Sequence, residues 1–169
     1  MDIVDSATRS RMMSGIRGRD TKIELVVRKA LHARGLRYRL HNRTLSGRPD
    51  IAFMSAKAAV FMHGCFWHGH DCSFFRLPAS NTEFWREKID ANRARDAKVL
   101  DALHVLGWRT ATIWECAIRG RPMEELVGLF DCIENWVRAG TGHLELRGPA
   151  GTAISQQPVA KRAQKEKKK

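Results

Sequence analysis

Ten residues, HGCFWHGHDC (His63–Cys72), hold three histidines, two cysteines and two adjacent large rings. An apolar core has little use for that mixture, because each polar group in it needs a partner once buried. Cys65, His70 and Cys72 follow a C-x4-H-x-C spacing, and Cys116 arrives at the end of a later apolar stretch. If Cys116 closes a tetrahedral Cys3His set, the chain must fold back so that residue 116 meets residues 65–72. Zinc takes thiolates and imidazole in such sets, and a site filled by four protein ligands is structural. The alternative is a group of ordinary buried cysteines, since the spacing is not that of a common zinc finger. Cys132 lies among apolar positions and reads as core.

The chain's 169 residues make one domain, long enough to bury its own core. It has no 18-residue apolar run, signal-peptide pattern or internal repeat, so a soluble, cytoplasmic protein without a membrane segment is expected. In that compartment four cysteines are thiols or metal ligands rather than disulfides. Residues 1–50 carry 12 Lys/Arg against 5 Asp/Glu, net +7. Residues 51–160 carry 12 against 12, net zero, and residues 161–169 carry 6 against 1, net +5. Basicity concentrated at the two ends points to a polyanion such as nucleic acid, because neutralising phosphates releases counterions. The expected organisation is a basic DNA-binding arm over 1–19, a folded domain over 20–140 and a disordered basic tail over 141–169.

DTKIELVVRKALHARG places Ile23, Val26, Val27, Ala30 and Leu31 at helical spacing and stops at Gly35. LRYRLHN can be a short strand, and DIAFM and AAVFMH, after the SGRP turn, read as two more. A long helix runs from a cap at Asn81 or Thr82 to about Leu106 and ends at Gly107. WRTATIW gives a further strand, and PMEELVGLFDCIENWV a closing amphipathic helix with Pro122 in its first turn. This order predicts an α/β fold with a mixed central sheet flanked by helices.

Several polar residues carry two readings each. His63 ends a buried strand and His68 lies between proposed ligands; either can act as a general base or contact a second metal's waters, or simply satisfy backbone. Asp50, at a strand start, suits a hard cation such as magnesium, yet Pro-Asp is also an ordinary turn pair. In the long helix Trp85, Ile89, Asn92, Asp96, Val99 and Leu103 share one stripe, which puts Asp96 on an inward face. A histidine is a good partner for it, and a surface arginine such as Arg93 is the alternative. Glu24 fits a capping box with Thr21. Phe66 and Trp67 can stack on bases or pack over the metal site.

ATRSRMMSGIRGRDTKIE, GRPDIAF, FMHGCFWHGHDC, TEFWREKIDANRARD and GWRTATIWECAIRGR together resemble the very-short-patch mismatch repair (Vsr) DNA endonucleases, collinearly over about residues 6–121. The resemblance implies a restriction-endonuclease-like core that nicks one strand 5′ of the thymine in a T:G mismatch left by 5-methylcytosine deamination. It makes residues 20–140 the endonuclease domain. It implies that Asp50 and the main-chain carbonyl of Met62 hold magnesium, with Glu24 and His63 reaching metal-bound waters. It assigns His68, oriented by Asp96, as the base, and Cys65, His70, Cys72 and Cys116 as ligands of a structural zinc. Phe66, Trp67 and Trp85 are to enter mismatched double-stranded DNA from the major-groove side, and the arm with Met13 and Ile16 from the minor groove. A monomer suffices for one cut strand. Functional links to MutL/MutS-type repair proteins and a cytosine-5 methyltransferase, and action at the nucleoid, follow from the same resemblance. Many nucleases of this fold place Glu-x-Lys on the strand after Pro-Asp; here that strand ends Phe-Met-His-Gly, so proton abstraction must come from elsewhere. His68 with Asp96, as the resemblance implies, fills that role chemically.

Overall fold

The computed structural model describes Thr8, residues 20–148 and the backbone of residues 152–155. Helix α1 (Lys22–Ala33) begins at a complete capping box: Thr21 accepts from the Glu24 N–H while the Glu24 carboxylate accepts from the Thr21 N–H. Gly35, just past its end, adopts φ 78°, as the sequence predicts for a left-handed stop. Strands β1 (Arg39–Leu40), β2 (Ile51–Phe53) and β3 (Ala58–His63) follow, then helix α2 (Thr82–Val105) and strand β4 (Arg109–Trp114). Asn81 occupies the position before α2 in a left-handed conformation and makes no side-chain cap; the Thr82 hydroxyl donates back to Pro78 O at 2.9 Å. A 3-10 turn (Glu115–Ala117) leads to helix α3 (Met123–Ala139), with Pro122 at its N-cap.

The six strands lie in the order β1-β2-β3-β4-β5-β6. The first three pair antiparallel, β3, β4 and β5 (His143–Leu146) pair parallel, and β6 (Thr152–Ser155) closes antiparallel. Here the structure corrects the expected boundary: the fold does not end at residue 140, because HLEL alternates and buries Leu144 and Leu146 beside β4. The segment is only four residues long, too short for its alternation to stand out from the Gly-rich surroundings. The basic run after residue 155 lies outside the described residues.

Period-two alternation divides the sheet into two faces. Ile51, Phe53, Ala58, Val60, Ala111, Ile113, Leu144 and Leu146 pack with α1 and α3, where Val27, Leu31, Leu126, Phe130 and Ile133 are buried. Ala52, Ala59 and Phe61 face α2, meeting Leu103 and the half-buried Val99 and Leu100. By the same alternation His63, two residues past Phe61, emerges on the α2 face at the end of β3. Gly47 (φ 72°) allows the loop before β2 to lie against α2, since a Cβ there would stand 2.3 Å from Val99 Cγ1.

Candidate active site and metal centre

β3 and β4 are parallel neighbours with His63 beside Trp114, so the loop after one and the 3-10 turn after the other emerge side by side. β2 runs the opposite way with Ile51 opposite Val60, which brings Asp50 to the same end. Three segments distant in sequence thus converge at one edge of the sheet, outside the carboxyl ends of its parallel strands, the usual place for a site in an α/β fold.

Cys65, His70, Cys72 and Cys116 bring one ligand atom each to within 4.8 Å of the others. His70 Nδ1 is 3.6 Å from Cys65 Sγ and 3.5 Å from Cys116 Sγ. A tetrahedral zinc with bonds of about 2.3 Å to sulfur and 2.0 Å to nitrogen sets that separation at about 3.5 Å, so the donor set fits zinc. Gly148 N–H donates to Cys116 Sγ at 3.3 Å, and the His70 ring stacks on Trp114 with centroids 4.1 Å apart. Burial pushes the Cys116 thiol above its ordinary pKa, so without a cation the thiolate is disfavoured. His70 Nε2 is buried with no hydrogen-bond partner among the described residues, leaving Nδ1 as the nitrogen aimed at the sulfurs. Cys132, half-buried on α3, packs against the main core, away from this cluster.

The loop between these ligands carries His68. Asn92 Nδ2 on α2 donates to Trp67 O at 2.8 Å, and Gly69 (φ 60°) lets the loop approach Ile89, which a Cβ would meet at 2.5 Å. His68 Nδ1 then lies 2.5 Å from Asp96 Oδ2, and its ring stacks on His63 with centroids 3.8 Å apart and planes 2° from parallel. Burial alone would raise Asp96, but the hydrogen bond and charge of His68, helped by His63 and Arg95, outweigh it and hold the carboxyl below its usual range. His63 is driven down to about 3, by burial first and by neighbouring His68 second, so it is neutral at working pH. With Nδ1 engaged by a carboxylate, His68 has Nε2 left as its basic nitrogen.

A cleft of about 600 Å³ joins His63, His68 and Asp96 to Asp50, His41 and three arginines, Arg43, Arg48 and Arg95. Asp50 Oδ2 accepts from the Met62 N–H at 2.7 Å. The N–H and C=O of a strand residue leave the strand on the same side, so the Met62 carbonyl also faces the Asp50 side, beyond the last residue of β2. Burial raises Asp50 to about 6; the Met62 hydrogen bond opposes this, and the Glu24 charge adds to it. A partly desolvated carboxylate beside a carbonyl suits a hard divalent cation. Glu24 is 4% exposed and makes both the helix cap and a 2.6 Å ion pair with Arg28 Nη2, so the capping reading is correct without excluding the other.

Phe66 packs edge-on against Trp67 and Trp85, each at 5.3 Å between centroids, and Trp67 lies 6.1 Å from Trp85. Trp85 is 9% exposed and backs the other two rings. Phe84, 54% exposed, extends the group outward, and Lys88 Nζ sits 5.6–5.9 Å from the rings of Phe84, Trp67 and Trp85. Met13 and Ile16 lie outside the described residues. Sequence reasoning passed over Arg28, His41 and Phe84. The Glu24/Arg28 spacing of four was the one readable signal, since such pairs meet on a helix face.

The family model for DNA mismatch endonuclease Vsr matches residues 1–74. The DNA mismatch endonuclease Vsr of Escherichia coli (strain K12) is 43% identical over 136 residues, covering 80% of this chain and 87% of that protein. The chain belongs to the Vsr family of DNA mismatch endonucleases. The chain is also similar to the type II nicking enzymes V.XorIIP of Xanthomonas oryzae pv. oryzae, 44% identical over 69% of this chain and 86% of that enzyme, and V.NmeAIP of Neisseria meningitidis, 42% identical over 72% and 87%. A DNA-nicking nuclease of very short patch repair is thus the activity of this Vsr fold. No helix among the described residues is long and apolar enough to cross a membrane.

Proposed function

We propose that this nuclease, a restriction-endonuclease-like core, cuts one strand of double-stranded DNA 5′ of the thymine in a T:G mismatch, using magnesium. The observation that carries the reading is the His68–Asp96 pair, 2.5 Å apart, in the cleft that also holds Asp50. Asp50 and the Met62 carbonyl hold the magnesium, which when bound stabilises charge developing on the scissile phosphate. His68 Nε2 takes a proton from the attacking water, while Asp96 fixes the tautomer and stabilises the resulting imidazolium. Neutral His63 supports the His68 ring by stacking and can accept from a metal-bound water, a contact Glu24 shares in the family reading. Cys65, His70, Cys72 and Cys116 hold zinc away from the phosphate and fix the loop that carries His68.

Phe66 and Trp67, with Trp85 behind them, wedge into the major-groove side of the mismatch, and Lys88 meets the backbone phosphate. The arm with Met13 and Ile16 approaches through the minor groove. Mismatch preference comes from deformability, because a T:G wobble pair is easier to unstack and offers altered groove edges. One small domain on one strand acts as a monomer, over residues 20–155 with a basic arm before and a basic tail after. MutL/MutS-type repair proteins and a cytosine-5 methyltransferase are its functional neighbours at the nucleoid.

Strand-specific cleavage of end-labelled duplexes carrying T:G, T:A or 5-methyl-C:G at one position tests this. A magnesium-dependent nick beside the mispaired thymine alone is expected, with the rate lowered at least about 100-fold in His68→Ala. Binding to T:G duplexes without a nick, in several flanking contexts, or an unaltered rate in His68→Ala, would refute the assignment.

A further inference from the structure

Asp20, Glu24 and His41 bring ligand atoms within 4.8 Å of one another, the arrangement of a cation site. Its cation is a side chain. The Arg28 guanidinium places Nη1 2.5 Å from Asp20 Oδ1, and Nη2 2.6 Å from Glu24 Oε2 and 2.8 Å from His41 Nε2. A guanidinium only donates, so His41 Nε2 must accept, and the neutral ring carries its proton on Nδ1. That nitrogen faces the cleft, 3.8 Å from Asp50 Oδ1, while Asp50 Oδ2 is held by Met62. The backbone fixes the ring's place as well: His41 N–H donates to Asp50 O at 3.3 Å, and the residue sits at φ 45°.

Glu24 is differently placed. One oxygen accepts from the Thr21 N–H at 3.4 Å and the Thr21 hydroxyl at 3.0 Å; the other accepts from the Asp20 N–H at 3.1 Å and from Arg28 at 2.6 Å. A carboxylate has about four lone-pair sites, so Glu24 has none to offer water near Asp50 without loosening its helix cap. His41 stands between the two carboxylates, 3.9 Å from one and 3.8 Å from the other, with one N–H uncommitted in any direct hydrogen bond among the described residues.

We propose that His41 is a positioning residue for Asp50. Its Nδ1–H, set in that tautomer by Arg28, steadies Asp50 Oδ1 while the carboxylate takes up a divalent cation. At 3.8 Å the pair is beyond direct hydrogen bonding, and a small turn of the carboxylate or one bridging water closes the gap. An oxygen with two lone pairs can accept from His41 and ligate a cation together. Glu24 then also anchors Arg28, and through it the His41 tautomer, from the first turn of α1. The proposal rests on the reading of Asp50 as a magnesium ligand.

The test uses the full, zinc-replete chain and Mn2+ as the probe, titrated by calorimetry without DNA. His41→Gly tolerates the backbone angle and removes the N–H; His41→Asn tolerates the same angle and keeps an N–H near the same place. Gly should weaken Mn2+ binding at least about fivefold and raise the magnesium midpoint of nicking by a similar factor, with much of the lost rate recovered at saturating magnesium. Asn should stay within about twofold of the parent. A Gly variant that binds Mn2+ like the parent, or equal weakening in Gly and Asn, overturns the proposal. Unchanged Mn2+ affinity in Asp50→Asn would instead remove the magnesium reading of Asp50 on which it rests.

Discussion

Asp50 and Asp96 line one cleft and are driven in opposite directions. At Asp96 an imidazole at 2.5 Å outweighs burial; at Asp50 a single N–H and the more distant Arg28 charge do not. The sign at Asp50 has a consequence for stability. Its native pKa of about 6 lies above the unfolded value of 3.8, so as pH rises between these values the unfolded chain ionises first. The folded state therefore loses stability across that window and keeps the deficit above pH 6. In magnesium-free buffer Asp50→Asn, which can still accept from Met62, should stabilise the fold at pH 8 by about 2 kcal/mol, while removing metal-dependent nicking. The gain should vanish near pH 4. Melting curves at the two pH values check it, and an equal gain at both would show that burial of charge is not its cause.

Elements show where sequence suffices and where it does not. Helix α1 was legible from both ends, because its capping box and terminal Gly35 are local signals within one turn of the residues they act on. Strand β3 was legible because AAVFMH is apolar and bounded by turns, and the spacing of Asp96 along α2 correctly pointed it inward to a histidine. β5 was hidden by its brevity, and β6 lies in a stretch rich in Gly and Pro. The Arg28–His41 contact had no sequence signal, since it joins residues 13 apart through a turn at φ 45°. Arg109 is a similar case. Read only as part of a strand, it caps the carboxyl end of α3 by donating to Trp136 O, to Val137 O at 2.9 Å and to Gly140 O at 2.7 Å, and reaches Ala56 O at 3.2 Å. Arg109→Met should cost about 2–4 kcal/mol by denaturant unfolding, and Arg109→Lys should recover less than half, because an ammonium cannot span the carbonyls as a planar fork does. A loss under about 0.5 kcal/mol would mean water serves those carbonyls equally well.

At the scale of the molecule, the cluster that fits zinc and the proposed base His68 occupy one loop after β3, closed by a cysteine after β4. Removing one ligand should therefore act on chemistry at a distance. Cys116→Ser is expected to lower zinc content and the melting temperature, and to reduce nicking at least about tenfold, since a ring misplaced by about 1 Å loses far more than that in rate. Mn2+ binding at Asp50, which hangs on β2 and β3, should stay near the parent value. Full nicking in a zinc-free variant would separate the loop's shape from its metal.

The arrangement makes the loop's assembly a licence to cut. On the proposed mechanism, a copy that emerges without its cysteines gathered, or that later loses them to oxidation, has no aligned pair of His68 and Asp96 with which to open a phosphodiester. For a protein charged with making breaks in the genome, the defective molecule is then an idle one rather than a careless one.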